Sequence, residues 1–243
     1  MKETGETRFA RTEILLGREA LASLARQRVA VFGLGGVGSY VVEALARAGI
    51  GHFLLVDHDT VCLTNTNRQL IAVEGNYGKP KIEVTAARVK AINPGAVVET
   101  RQVFAGPDNI PELLQGDFSY VADAVDNVAA KTAIICYCLE RKIPVISAMG
   151  AGNKLDPLAF RVADIGETHT CRLARAVRLS LRRKGITGGV KVVFSTEKPR
   201  TPALPATVPG TISYVPAVAG LILAGEIIRD LLGLGKTPAR RKQ

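Results

Sequence analysis

The run Gly33-Leu-Gly35-Gly36-Val-Gly38 spells G-x-G-x-x-G. Glycines at that spacing give a tight turn, room for a phosphate to touch the backbone, and close packing of a helix on a strand. A helix opening there offers unpaired N–H groups and partial positive charge to an anion. Asp57 follows Gly38 by nineteen residues, where a carboxylate reaches ribose hydroxyls. These residues imply a nucleotide site, and by themselves they do not separate NAD from ATP. A second constellation is basic. Arg172, Arg175, Arg178 and Arg182 recur at three- and four-residue steps, which at helical period gathers them within about 120° of one face. Leu173, Val177 and Leu181 fall on another face, so one side can pack while the arginines, extended by Arg183 and Lys184, face a polyanion.

The elements needed to place the glycines are legible around them. Arg28-Val-Ala-Val-Phe32 reads as a strand, Ser39 to Ala48 as a helix ended by Gly49 and Gly51, and His52 to Val56 as a second strand finishing on Asp57. Lys81 to Ile92 is helical and is stopped by Asn93-Pro94-Gly95. Val97 to Val103 and Tyr120 to Ala124 are strands, Lys131 to Arg141 is a helix, and Ile143 to Ser147 is a strand. Such alternation implies a parallel, doubly wound α/β sheet. Ahead of it, residues 8–27 form a helical arm whose apolar stripe is Ile14, Leu15, Leu21 and Leu24. Behind it, the five prolines of residues 199–216 predict a mobile crossing loop. A packing helix over 217–232 follows, with Ala217, Gly220 and Ala224 on one face suited to close packing, including at a dimer interface.

Composition narrows the classes. The 243 residues, 47% of them hydrophobic, suffice for one domain: an arm over 1–27, a nucleotide-binding half over 28–150, and a basic half for substrate and dimerisation over 151–243. The charged start MKETGETRFARTE argues against an export signal, and the apolar run Val215 to Ala224 is about half the length of a spanning helix. The expectation is a cytoplasmic protein without a membrane partner. Cys62, Cys136, Cys138 and Cys171 contain no C-x-x-C pair, which excludes a zinc knuckle or thioredoxin-like motif and suggests reduced thiols. Residues 1–150 hold 16 Lys+Arg and 16 Asp+Glu, residues 151–243 hold 16 and 6, so the whole net charge of +10 lies in the second part. Nucleotide chemistry and polyanion recognition are thereby divided along the chain.

The segment from Asp57 through Thr64-Asn65-Thr66-Asn67-Arg68-Gln69, then Gly78-Lys-Pro-Lys81, then Asp126-Asn127, resembles the ubiquitin-activating and sulfur-carrier adenylyltransferase superfamily. The resemblance covers at least residues 8–150. It implies a Rossmann-like, mostly parallel sheet and ATP with Mg²⁺ as its ligands. It further implies that the glycine loop, Asn65, Asn67 and Asn127 contact ATP, that Asp57 holds the ribose, and that Arg68 and Lys81 hold the phosphates. Asp126 would help bind Mg²⁺, and Arg11 would reach across a homodimer. Arg, Lys and Mg²⁺ suit a carboxylate attacking the α-phosphate, because that step spreads negative charge over the phosphoryl oxygens and the leaving pyrophosphate.

The second half resembles the tRNA threonylcarbamoyladenosine dehydratases. The matching residues are Ser147 to Pro157, Arg161 to Ile165, Glu167 to Thr170, Val192 to Glu197 and Tyr214 to Gly220. This implies ATP-dependent activation of a threonyl carboxylate on a modified adenosine beside the tRNA anticodon, followed by ring closure by the neighbouring carbamoyl group. No enzyme nucleophile is needed, since the substrate supplies proximity. Cys171 and His169 therefore read as structural. Cys171-Arg172 stands where this family more often has Asp-Pro, which puts the local turn in question. Two rivals stand beside this reading. One is an adenylyltransferase acting on a ubiquitin-like sulfur carrier, with a sulfur-transfer protein as candidate partner, and the other is a non-catalytic NAD-sensing module.

Overall fold

A computed structural model describes residues 7–234. The first six residues and the Arg240-Arg241-Lys242 tail lie outside the described residues. In chain order the elements are α1 (Ala10–Leu16), α2 (Arg18–Arg26), β1 (Arg28–Phe32), α3 (Gly38–Ala48), β2 (His52–Val56), α4 (Lys81–Ile92) and β3 (Val97–Arg101). Then come α5 (Ile110–Leu113), β4 (Tyr120–Asp123), α6 (Val128–Glu140), β5 (Val145–Ala148), β6 (Phe160–Asp164), α7 (Arg172–Arg182), β7 (Lys191–Ser195) and α8 (Tyr214–Leu231).

The seven strands form one sheet in the order β3-β2-β1-β4-β5-β7-β6, parallel except for the β6–β7 pair. The expected doubly wound sheet is therefore present, with an antiparallel edge. Side chains alternate across it as the pleat requires. Val29 and Val31 of β1 enter a core with Val41 and Leu45 of α3 and Leu223 and Ile227 of α8. Ala30 and Phe32 enter the opposite core with Ile110 of α5 and Ile134 and Cys138 of α6. A third cluster seats Ala174, Val177 and Leu181 of α7 against Val192 and Phe194 of β7. The chain leaves β1 toward β2 and β3, then returns across the sheet to β4. The loops after β1 and β4 thus diverge and leave a crevice at the carboxyl ends, where open α/β sheets bind ligands.

Three expectations need correction, and one pair of strands was not expected. Gly17, with φ +86°, divides the arm into two helices, and only part of its stripe packs: Leu24 is fully buried, whereas Ile14 and Leu15 are 76% and 80% exposed. The pair β6 and β7 had no counterpart in the sequence reading. α8 begins at Tyr214 instead of 217, because Pro216 falls in its first turn, where a missing N–H costs nothing. Its small-residue face packs within the chain and is not a surface for a second copy. A Cβ on Gly220 would lie 2.4 Å from the Val37 carbonyl oxygen, and Ala224 is fully buried.

The crossing segment has no regular structure through residues 199–213, as expected, but it is fastened at Arg200, whose N–H donates to the Asn153 carbonyl at 2.8 Å, at Gly210 and at Thr211. Asn153, at φ +57°, exchanges two hydrogen bonds with Gly210: its N–H donates to the carbonyl and its Oδ1 accepts from the N–H, both at 2.7 Å. Asn67 Nδ2 donates to the Thr211 carbonyl at 3.0 Å. The segment therefore straps the glycine-loop side of the crevice to its far side.

Candidate nucleotide and acceptor site

The crevice holds a cavity of about 1020 Å³ lined by the loops after β1, β2, β4 and β5, the start of α7 and the strap. Its glycine wall is built from backbone. Gly33 has φ +83°, and a Cβ there would lie 2.8 Å from the Ala124 carbonyl oxygen, so only glycine lets the loop pass β4. Gly33, Gly35 and Gly36 line the cavity, but Gly38 does not. A Cβ on Gly38 would sit 1.7 Å from the Gly33 carbonyl oxygen, so this last glycine serves helix-to-strand packing and is removed from the ligand-contacting set.

Asp57 ends β2 at the cavity wall. Its Oδ2 accepts the Leu34 N–H at 2.6 Å and its Oδ1 the Asp59 N–H at 2.9 Å. A carboxylate offers about four lone-pair sites, so hydroxyls can still donate to it. Asn65 is nearly buried, and its Oδ1 accepts the Cys62 N–H, which shapes the turn that carries Asn67 and Arg68. Arg68 Nη1 donates to the Thr64 carbonyl and to Asn67 Oδ1, each at 3.0 Å, so its guanidinium is aimed by its own loop. Lys81, the first residue of α4, is buried and lines the cavity with its ammonium 2.6 Å from Asp59 Oδ2. The lysine is therefore already paired, and Asp59, which the sequence did not single out, holds it.

Asp126 and Asn127 stand at the mouth after β4. Asn127 caps α6, accepting the Ala130 N–H at 3.0 Å, which fixes the turn beside it. Asp126 is exposed and makes no hydrogen bond or ion pair among the described residues, which leaves its oxygens free for a cation. Oxygen ligands of this kind suit Mg²⁺, which keeps several waters and takes one or two carboxylates. The ligand atoms of Asp57, His58 and Asp59 also converge within 4.8 Å, although Asp59 is engaged by Lys81. Beneath the loop, Asp123, Lys131 and Ser147 form a wholly buried network. Lys131 Nζ lies 3.0 Å from Asp123 Oδ2 and 3.2 Å from Ser147 Oγ, and Ser147 Oγ donates to the same carboxylate oxygen at 2.6 Å.

One residue on the wall went unassigned. Gln69 is 6% exposed, lines the cavity, and leaves its Oε1 without a donor. A buried amide oxygen left unmatched costs about 1–3 kcal/mol, so this atom fits a donor supplied by a ligand, such as a ribose hydroxyl or an adenine amine. The cradle, the orphaned oxygen and the cations together suit a nucleotide with phosphates.

The remaining candidates divide. Arg172 lines the cavity, and Arg175 and Arg182 are exposed along α7. Arg178 is partly buried, with its guanidinium donating to the carbonyl and hydroxyl of Thr168, so it braces the loop before α7 and leaves the proposed polyanion face. Arg11 is exposed on α1 and does not line this chain's cavity. Cys171 is buried and lines the cavity. Its Sγ accepts the Ala174 N–H at 3.5 Å, so α7 is capped despite the unusual Cys-Arg pair. His169 lies off the cavity, edge-on to Phe194 and bonded to Thr170 Oγ1.

Known proteins match this chain over almost its whole length. A tRNA threonylcarbamoyladenosine dehydratase of Bacillus subtilis is 42% identical over 242 residues, covering 92% of this chain and 94% of that protein. The crystal structure of Escherichia coli tRNA N6-threonylcarbamoyladenosine dehydratase in complex with ATP superposes with a TM-score of 0.87 at 39% identity, covering 93% of this chain and 94% of that one. Escherichia coli molybdopterin-synthase adenylyltransferase is more distant, at 33% identity over 226 residues, covering 93% of this chain and 80% of that protein. The ThiF family model matches residues 9–243, a span that contains every wall of the cavity, and this chain belongs to the ThiF family.

Proposed function

We propose that this chain is an ATP-dependent tRNA threonylcarbamoyladenosine dehydratase. The observation that carries the reading is a single cavity with a backbone-built phosphate end and a separate end at β5 and α7, in a chain matched over almost its whole length by dehydratases. The glycine loop and the start of α3 receive phosphate oxygens, Asp57 the ribose, and Gln69 a donor on the nucleotide. Arg68 and Lys81 neutralise charge that grows on the phosphoryl oxygens. Asp126, exposed and unengaged at the cavity mouth, would hold Mg²⁺, which when bound supplies further charge neutralisation at those oxygens.

The threonyl carboxylate oxygen attacks the α-phosphorus, and pyrophosphate leaves with the electron pair of the broken P–O bond. The carbamoyl group then attacks the acyl carbon, AMP leaves, and the carbamoyl proton passes to solvent. Both nucleophiles belong to the substrate, which fits the structural placing of Cys171 and His169.

The exposed arginines of α7 begin at the cavity mouth and suit the tRNA backbone near a bound anticodon loop. Exposed Ile14 and Leu15 beside Arg11 suit a homodimer in which α1 is covered and Arg11 enters the second copy's site. We read the chain as one domain acting in the cytoplasm; among the described residues no helix is long and apolar enough to cross a membrane. The purified chain is expected to suffice, so a sulfur-transfer protein would serve some other activity. Nucleoside analysis of threonylcarbamoyladenosine tRNA incubated with the protein and ATP-Mg should show the adenosine losing one water, with AMP and pyrophosphate released. Unchanged tRNA, or pyrophosphate exchange stimulated only by a carrier protein, would overturn the reading.

A further inference from the structure

We propose that Lys154 and the open N-terminus of α7 form the anion-binding end of the cavity, and that they take the acceptor carboxylate and aim it at the nucleotide. This rests on the function proposed above. Lys154 is only 3% exposed yet lines the cavity. Its ammonium makes one hydrogen bond, to the Gly150 carbonyl at 2.9 Å, and no carboxylate lies within ion-pair distance among the described residues. The nearby Glu197 accepts from the N–H groups of Leu155 and Asp156 instead. Burial pulls the Lys154 ammonium below the usual lysine range, opposed by Cys171 and Glu197. A buried cation with two donors unused and no carboxylate in direct contact is costly unless something in the cavity completes it.

The start of α7 adds an independent feature. Cys171 Sγ occupies the Ala174 N–H, but the N–H groups of Arg172 and Leu173 have no partner among the described residues, and both residues line the cavity. A helix of eleven residues presents partial positive charge at that end. Both features meet at Gly150, which anchors Lys154 and where a Cβ would lie 3.4 Å from Cys171 Sγ. β5 lies two strands from β1, about 10 Å at roughly 4.8 Å per strand, so the loop after β5 that carries Lys154 is set apart from the glycine turn after β1.

Two sources of anionic oxygen exist, the acceptor carboxylate and the ATP phosphates, and the experiment separates them. The full chain is titrated with ATP, with threonylcarbamoyladenosine tRNA, and with the same tRNA carrying the carboxylate as its methyl ester. Wild type should prefer the free carboxylate by roughly tenfold or more, the scale of one charge-assisted hydrogen bond. Lys154→Gln should reduce that preference to about threefold or less while ATP affinity stays within about twofold, and Lys154→Arg should restore part of it. Lys154→Met, also neutral, serves if the glutamine variant does not fold. A lysine that merely supports the loop would weaken both tRNAs alike and leave the preference intact, which overturns the proposal. Loss of ATP affinity instead would assign Lys154 to the phosphates and also overturn it. Failure of wild type to dehydrate the tRNA at all would remove the underlying function, and this inference with it.

Discussion

Replacing Lys131 by Met removes the cation from the Asp123–Lys131–Ser147 network while keeping an unbranched side chain of similar length. Both ionisable partners are fully buried and 3.0 Å apart. At an effective dielectric of about 20, that separation gives an attraction of roughly 5–6 kcal/mol. Asp123 would keep the Ser147 hydroxyl at 2.6 Å and the Val125 N–H at 3.2 Å, so the loss should fall near the lower part of the range for breaking a buried pair, about 3 kcal/mol. Against a typical total of about 5–15 kcal/mol this is a large fraction. Urea unfolding at neutral pH measures it: with a slope near 2–3 kcal/mol/M, the midpoint should fall by about 1 M or more. The double variant Lys131→Met with Asp123→Asn should recover part of that, because it removes the uncompensated charge. A single-variant shift below about 0.3 M would refute the reasoning, since it would mean the network contributes little to holding the fold.

Asp126→Ala should abolish ATP-dependent turnover and leave thermal stability unchanged, because the side chain has no partner within the described chain; activity within about threefold of wild type would sink its assigned role. Heterodimers mixing Arg11→Ala with Asp126→Ala protomers should regain activity that neither homodimer has, and complete failure would count against an arginine acting across a dimer. Changing Arg175, Arg182 and Arg183 together to Glu should spare ATP binding, weaken tRNA binding, and flatten the slope of log affinity against log salt by roughly two or more units. Arg178 is left out because it braces Thr168, and an unchanged slope would move the tRNA surface to Lys198 and Arg200.

The β1-α3-β2 unit was legible because each element carries its own local signal: a β-branched run, glycines at fixed steps, a helix stopped by Gly49. The β6–β7 pair was not. β6 is an edge strand with Arg161 and Val162 both exposed, so its residues do not alternate between buried and exposed, and its antiparallel partner arrives only after α7. The cavity wall was largely readable from residue types, whereas its internal pairings were not. Lys81 was read as a phosphate-holding residue, but nothing in its own segment shows that it would lie buried against Asp59, twenty-two residues earlier. The same holds for the burial of Lys131, although its counter-charge lies eight residues earlier and its hydroxyl partner on another strand. Arg178 shows the converse limit: helical spacing placed it on the basic face, but whether an arginine points outward or folds back onto Thr168 depends on a loop whose path spacing does not encode.

The two ends of the cavity differ in what they are made of, and this bears on how such a protein can change over generations. At the phosphate end, Gly33 and Gly38 admit no side chain without collision with the Ala124 or Gly33 carbonyl, so a mutation there disturbs the framework before it alters any ligand preference. At the other end, the proposed grip combines the Lys154 side chain with the N–H groups of Arg172 and Leu173, and the side chains that surround it can be exchanged one at a time while the sheet stands. A lineage can therefore acquire a new carboxylate to activate by drifting residues beyond Gly150, carrying an unaltered nucleotide grip from one acceptor to the next.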